Sequence, residues 1–185
     1  ISLKKNIPVG AGLGGGSSNA ASTLVALNEI WSLKLSREKL QKIGESFGSD
    51  VPFFVFGENA YGSGKGEILQ KKDSTGKNYL IIYPNFRLST QRMFELFDNE
   101  SMTESEGNSF LNTYLKTNES VRLFYEKIMK DNTISLSGSG SSMFIEYGAK
   151  TEILKILKKI PKNWRFFLCE ALQYSQLKEM IEDGV

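Results

Sequence analysis

The sequence has no histidine and a single cysteine, Cys169. Without a second cysteine the chain cannot form an internal disulfide, and it lacks the residues of the common His/Cys metal sites. The Ser-His-Asp and Cys-His catalytic units are excluded for the same reason. Acid–base chemistry in this protein must therefore come from carboxylates, lysine or tyrosine.

The sequence also lacks an excess of one charge and a long apolar run. Its 23 basic and 21 acidic residues leave a net charge of +2, which argues against nucleic-acid binding as a main role. No apolar stretch approaches the ~20 residues that a membrane-spanning helix requires, and no signal peptide is visible. We therefore expect a cytoplasmic protein with neither a membrane nor a nucleic-acid partner.

What the sequence does contain is a glycine-rich run near its start, with five glycines in seven residues from Gly10 to Gly16. A helical pattern rich in Ala and Leu follows at once. Glycine lets backbone N–H groups approach a ligand closely, and a helix N-terminus favours a bound anion. The run therefore predicts a phosphate-binding loop.

The glycine-rich run has three other interpretations. A Walker loop is excluded because no Gly-Lys-Ser/Thr follows. The dinucleotide fingerprint is matched in spacing by Gly10, Gly12 and Gly15, but Pro8 is out of place in the central strand that should precede it. A flexible Gly/Ser connector stays open, although the helix that follows directly weakens it.

The hydrophobic pattern predicts a mixed, α+β order of helices and strands. Residues 1–8 should end a strand, and Ser36 should cap a second helix that stops near Gly48. The polar stretch 71–78 is the best candidate for a domain boundary. Further helices are expected at 110–116, 119–130 and 150–159 and from about 174, and strands at 80–84, 134–136, 143–145 and 166–169.

Two further segments could carry chemistry, and each has a structural alternative. Asp50 precedes Pro52 at the start of a short apolar segment, which is typical of a helix N-cap. A carboxylate at that position would also stay ionised and could act as a base. Residues 137–142 form a second Gly/Ser-rich turn, which alone could be a tight hairpin between two strands.

Together these segments carry a family resemblance. The stretch PVGAGLGGGSSNAA at residues 8–21 resembles the second motif of the GHMP kinases, the family of galactokinase, homoserine kinase, mevalonate kinase and phosphomevalonate kinase. GSDVPFF at 48–54 is similar to the segment that carries the family's catalytic aspartate. LSGSGSSMF at 136–144 resembles the third motif, which folds against the phosphate loop.

The resemblance implies an α+β protein with the two-domain GHMP kinase fold. Residues 1–70 would be the C-terminal part of a ribosomal protein S5 domain 2-like ATP-binding domain, 71–78 a linker, and 79–185 a ferredoxin-like C-terminal domain. The third consecutive glycine and Asn19 point to one branch, which uses ATP and Mg²⁺. Its reaction phosphorylates the 2-hydroxyl of 4-diphosphocytidyl-2-C-methyl-D-erythritol, a cytidine diphosphate-linked polyol, in non-mevalonate isoprenoid precursor synthesis.

The resemblance also implies roles for individual residues. Asp50 would orient and deprotonate the accepting hydroxyl, Thr90 would lie near that alcohol, and Phe94 would stack on the cytosine, although a core position is the structural alternative for Phe94. No protein side chain is assigned to the metal, although Ser17 or Ser18 could supply one oxygen. The residues expected to bind ATP are Pro8, Gly10, Gly12, Leu13, Gly14, Gly15, Gly16, Ser17, Ser18, Asn19, Gly138, Gly140 and Ser141.

The pattern departs from the family in two places. Asn85 stands where many members have glycine after the proline, and the first motif, with its lysine, would lie upstream of Ile1. We therefore expect little activity from these 185 residues alone. Two alternatives stay open: a homoserine or mevalonate type of kinase, and a non-catalytic nucleotide-binding remnant.

Overall fold

The structure is a computed structural model that describes residues 1–64, 66, 68–73, 76–99 and 107–177. In the described residues three helices are followed by three strands, three helices, two strands, a helix and a strand, and the elements are numbered here in chain order. The helices are α1 Gly15–Ile30, α2 Arg37–Glu45, α3 Val51–Phe56, α4 Thr90–Asp98, α5 Leu111–Thr117, α6 Glu119–Ile128 and α7 Lys150–Leu157. The strands are β1 Ala60–Ser63, β2 Ile68–Lys71, β3 Asn78–Tyr83, β4 Ser135–Leu136, β5 Met143–Tyr147 and β6 Arg165–Glu170.

The chain forms two compact units. The sheet unit comprises Ile1–Leu13 and Lys77–Glu170, and the helical unit comprises Gly14–Gly76 and Ala171–Val185. The functional division at residues 71–78 stays a prediction, because the two units are defined by contacts and not by function.

The helical unit is built around α1, α2 and α3. A small apolar core contains Ala21 and Val25 of α1, Leu40 of α2, and Val51 and Val55 of α3. The expected cap of the second helix is confirmed: the Ser36 hydroxyl accepts a hydrogen bond from the Lys39 N–H at 3.3 Å. Strands β1 and β2 form an antiparallel hairpin, with Ala60 opposite Lys71.

The sheet unit is an antiparallel four-stranded sheet in the order β4-β5-β3-β6. In the central strand β3, Leu80 lies opposite Ile145 of β5 and Leu168 of β6. Leu80 and Ile82 are fully buried. Their core partners come from the helices and the neighbouring strands, and include Met93, Tyr114, Val121, Phe124, Ile128, Met143, Ile145, Ile153, Ile156 and Trp164.

The strand expected over residues 1–8 is wrong. The structure has no strand there, and residues 1–7 are all exposed. A strand needs a neighbour for its backbone hydrogen bonds, and no described strand pairs with this segment. The predicted final helix falls mostly on residues 178–185, outside the described part of the chain.

Among the described residues, no helix combines the length with the apolar composition that a bilayer crossing requires.

Candidate functional site

The glycine-rich run, called the glycine-rich segment from here on, belongs to both units. Residues up to Leu13 belong to the sheet unit, and those from Gly14 belong to the helical unit. Its two halves therefore have different partners and are described separately.

In the sheet unit, the first half of the glycine-rich segment lies against the second Gly/Ser turn. The Ser137 hydroxyl donates to the Gly12 carbonyl at 2.8 Å, and the Ser142 N–H donates to the Ala11 carbonyl at 3.0 Å. The Gly10 carbonyl accepts from the Leu88 N–H at 2.9 Å. The structure thus brings together two segments that lie 125 residues apart in sequence.

Gly12 lies very close to the backbone of the second Gly/Ser turn. Its φ is +71°, and a Cβ built there would lie 2.0 Å from the Ser137 carbonyl oxygen and 2.8 Å from that of Gly140. Only glycine fits such a contact in a left-handed backbone conformation. This glycine is therefore required by packing whether or not a nucleotide binds.

The second Gly/Ser turn is held by two residues that the sequence did not single out. The Asn108 side chain donates to the carbonyls of Leu136 at 3.0 Å and Gly138 at 2.8 Å. The Tyr114 hydroxyl donates to the Ser141 carbonyl at 2.6 Å. Burial raises the pKa of the Tyr114 phenol, so it remains a neutral donor. In the sequence, a tyrosine in a helix indicates only a core position.

We expect the Tyr114→Phe variant of the full-length protein to lose about 1–3 kcal/mol of unfolding free energy, because it leaves the buried Ser141 carbonyl without its donor. Urea denaturation measures this loss. Tyr125→Phe, in the partly exposed side of the next helix, is the control and should change stability by less than about 0.5 kcal/mol. Equal effects for the two variants would contradict the assigned role of the Tyr114 hydroxyl.

Thr90 and Phe94, which the resemblance assigns to the substrate, lie on α4. Ser89 caps this helix by accepting the Arg92 N–H at 3.3 Å. The Thr90 and Ser139 hydroxyl oxygens are 2.9 Å apart, so Thr90 is in direct contact with the turn. Phe94 is half-exposed and packs edge-on against Phe110, with 4.8 Å between ring centroids. Its free surface leaves room for stacking on a flat ligand.

In the helical unit, the second half of the glycine-rich segment starts α1. Gly14 is the N-cap at φ +63°, and no side chain of the described residues caps it. A Cβ at Gly14 would lie 2.5 Å from the tip of the Phe54 ring, whereas one at Gly16 would meet nothing within 4 Å. Ser17 and Ser18 lie in the first turn, which has no acidic residue. The positive end of the helix dipole makes this helix start suited to an anion.

Asp50 occupies the N-cap position of α3. Its backbone carbonyl accepts from the Phe54 N–H at 3.4 Å, but within the described part of the chain its carboxylate makes no capping hydrogen bond. The side chain is exposed. The carboxylate is therefore not committed to the helix and is available for chemistry.

Metal ligands are sparse in the described residues, where no cluster of three Asp, Glu, His or Cys side chains is suited to hold an ion. The Ser17 and Ser18 hydroxyls lie in the first turn of α1. Such a donor set suits Mg²⁺ that is held mainly by phosphate oxygens and water.

Comparison with known proteins agrees with these features. Residues 1–58 match the GHMP kinases N terminal domain. The chain is 37% identical, over 98% of its length, to the 4-diphosphocytidyl-2-C-methyl-D-erythritol kinase of Wigglesworthia glossinidia brevipalpis. It is 35% identical over 96% of its length to that of Ruthia magnifica subsp. Calyptogena magnifica, and 34% over 98% to that of Chromobacterium violaceum. It spans 63%, 67% and 69% of these relatives, respectively.

Solved structures show the same fold. A 4-(cytidine 5'-diphospho)-2C-methyl-D-erythritol kinase matches 90% of this chain and 68% of its own, with a TM-score of 0.72 and 24% identity. The homoserine kinase of Cytophaga hutchinsonii matches 92% of this chain and 69% of its own, with a TM-score of 0.64 and 15% identity. The chain belongs to the GHMP kinases and, within them, to the 4-diphosphocytidyl-2-C-methyl-D-erythritol kinase family.

Proposed function

We propose that the whole protein transfers the γ-phosphate of ATP to the 2-hydroxyl of 4-diphosphocytidyl-2-C-methyl-D-erythritol. The observation that carries this proposal is the likeness to curated relatives of that name over nearly the entire chain. The N-terminus of α1 and the Asp50 carboxylate, which makes no capping hydrogen bond among the described residues, support it. Phosphoryl transfer needs an anion-binding site and a group that orients the accepting alcohol.

The reaction follows from these residues. The substrate oxygen forms a bond to the γ-phosphorus while the bond between that phosphorus and the bridging oxygen of ADP breaks. Asp50 orients the alcohol and takes its proton, and backbone N–H groups at the start of α1 stabilise phosphate charge. Thr90 would contact the alcohol and Phe94 the cytosine ring.

ATP and Mg²⁺ are the expected small-molecule partners. When bound, Mg²⁺ would supply positive charge that neutralises the nucleotide phosphates. The hydroxyl of Ser17 or Ser18 could supply one oxygen to such an ion. The remaining proposed nucleotide contacts are Pro8, Gly10, Gly12, Leu13, Gly14, Gly15, Gly16, Asn19, Gly138, Gly140 and Ser141.

The proposal is tested by offering the purified full-length protein ATP with each of three alcohols: 4-diphosphocytidyl-2-C-methyl-D-erythritol, homoserine and mevalonate. We expect ADP release and a phosphorylated product only with the first. Preferred turnover of homoserine or mevalonate would move the protein to another branch. ATP binding without turnover of any alcohol would support a nucleotide-binding remnant.

A further inference from the structure

The C-terminal residues 172–175, here called the tether, lie alongside the chain that leaves α3. Glu58 and Tyr174 form an antiparallel bridge. The Ser175 N–H donates to the Gly57 carbonyl at 2.8 Å, and the Asn59 N–H donates to the Gln173 carbonyl at 3.3 Å. The Asn59 side chain adds a bond to the Leu172 carbonyl at 2.6 Å. The tether is thus joined to residues 57–59 by backbone and side-chain hydrogen bonds.

Lys71, at the end of β2, links the two sides of this bridge. Its ammonium lies 2.7 Å from the Glu58 carboxylate, whose side chain is only 10% exposed. The same ammonium stands 5.1 Å from the centre of the Tyr174 ring and 3.5 Å from the Tyr174 hydroxyl. One cation therefore contacts a buried carboxylate on one side and an aromatic face on the other.

The tether is attached at the C-terminal end of α3. Gly57 ends the helix at φ +73°, and its N–H donates to the Phe53 carbonyl at 3.2 Å. A helix of six residues is too short to hold itself in place, so its ends depend on outside contacts. Val51 and Val55 bury one face in the core. Phe54 contacts the Gly14 position of the glycine-rich segment.

Packing is incomplete on the side of α3 that faces the tether. A cavity of about 210 Å³ lies there, lined by Ser18 of α1, Phe53 and Phe54 of α3, and Leu172 and Tyr174 of the tether. Close-packed side chains would resist movement of the helix by themselves. On this side of α3 the hydrogen bonds between the tether and residues 57–59, together with the Lys71 contacts, supply the resistance that close packing does not. A shift at Gly57 would move the whole short helix, including its first residues next to Asp50.

We propose that Lys71 is a positioning residue for Asp50: by joining Glu58 to Tyr174, it fixes the end of α3 opposite the catalytic carboxylate. This inference rests on the proposed function, in which Asp50 acts on the alcohol. Reactions that depend on alignment lose rate steeply when a group moves by about 1 Å. Loss of the lysine should therefore lower turnover without removing any atom that touches a substrate.

The test uses the full-length enzyme and three variants. Lys71→Met should lower kcat about tenfold and leave KM for ATP within about twofold of the wild type. Lys71→Arg keeps the charge and should restore most of kcat. Lys72→Met is the matched control, because Lys72 is the next residue and its ammonium lies over a different ring, that of Tyr61, at 4.2 Å. It should retain wild-type kcat.

A second measurement does not depend on turnover. Hydrogen–deuterium exchange of the amides from Phe54 to Gly57 should be faster in Lys71→Met than in Lys72→Met and the wild type. Wild-type kcat and exchange in Lys71→Met would overturn the inference, as would equal losses in the two methionine variants. If Asp50→Asn keeps full turnover, Asp50 is not the base and the positioning inference fails, while the proposed transfer reaction stands. If the wild-type protein phosphorylates none of the three alcohols, the proposed function fails, and the exchange rates still decide whether Lys71 holds the helix.

Discussion

Asp50→Asn in the full-length enzyme will lower kcat by about 10²–10⁴-fold, the range expected when a general base is removed. The amide keeps the size and some of the hydrogen bonding of the carboxylate but cannot take the proton of the alcohol. KM for ATP should change little, because the nucleotide is assigned to the glycine-rich segment. Steady-state kinetics with 4-diphosphocytidyl-2-C-methyl-D-erythritol measures both constants.

The same variant distinguishes a catalytic carboxylate from a helix cap. Because the described residues show no capping hydrogen bond from this carboxylate, the unfolding free energy should change by less than about 0.5 kcal/mol. Asp131→Asn, at an exposed position after α6, controls for the loss of one negative charge. A stable Asp50→Asn enzyme with nearly full kcat would exclude Asp50 as the base.

Gly12→Ala will destabilise the protein by about 2–5 kcal/mol, from strain in the left-handed backbone and from overpacking. The new Cβ would lie 2.0 Å from the Ser137 carbonyl oxygen. It would also lie 2.8 Å from the Gly140 carbonyl oxygen. Both oxygens belong to the backbone, which cannot rotate away as a side chain could. Thermal or urea unfolding of the full-length protein measures the loss.

Gly16→Ala is the matched comparison within the same segment. A Cβ there meets nothing within 4 Å, and alanine favours a helix over glycine by up to about 1 kcal/mol. The unfolding free energy should therefore stay the same or rise. The affinity for ATP should fall at least about tenfold, because the methyl group would occupy the space proposed for a phosphate group. Unchanged ATP affinity in this stable variant would mean that the open end of α1 does not bind the nucleotide.

The sequence could predict features that depend on neighbouring residues. The helical pattern rich in Ala and Leu after the glycine-rich run predicts α1, and Ser36 at the start of the second helical pattern predicts a cap. Residues 1–8 failed because a strand is defined by its partner, and an apolar pattern does not reveal whether a partner is present. Asp50 has the residue type of a cap, but only the structure shows that its carboxylate makes no capping bond among the described residues.

The candidate site was predictable where it consists of contiguous motifs. The glycine-rich segment and the second Gly/Ser turn stand out by their local patterns, whereas Thr90 is assigned from the family resemblance alone. Asn108 and Tyr114 were not, because their contribution lies in hydrogen bonds to carbonyls of residues 27 to 30 positions away. A carbonyl is present at every residue, so no pattern of side chains indicates which one will be bonded.

The bond from Ser137 to Gly12 has a consequence for the order of folding. Its partners are separated by 125 residues, so closing that loop costs more chain entropy than forming the local contacts of α1, α2 and α3. We expect the helices to assemble first and the Gly10–Gly12 segment to dock late. Newly made chains would then contain helices α1, α2 and α3 before the Gly10–Gly12 segment docks against Ser137.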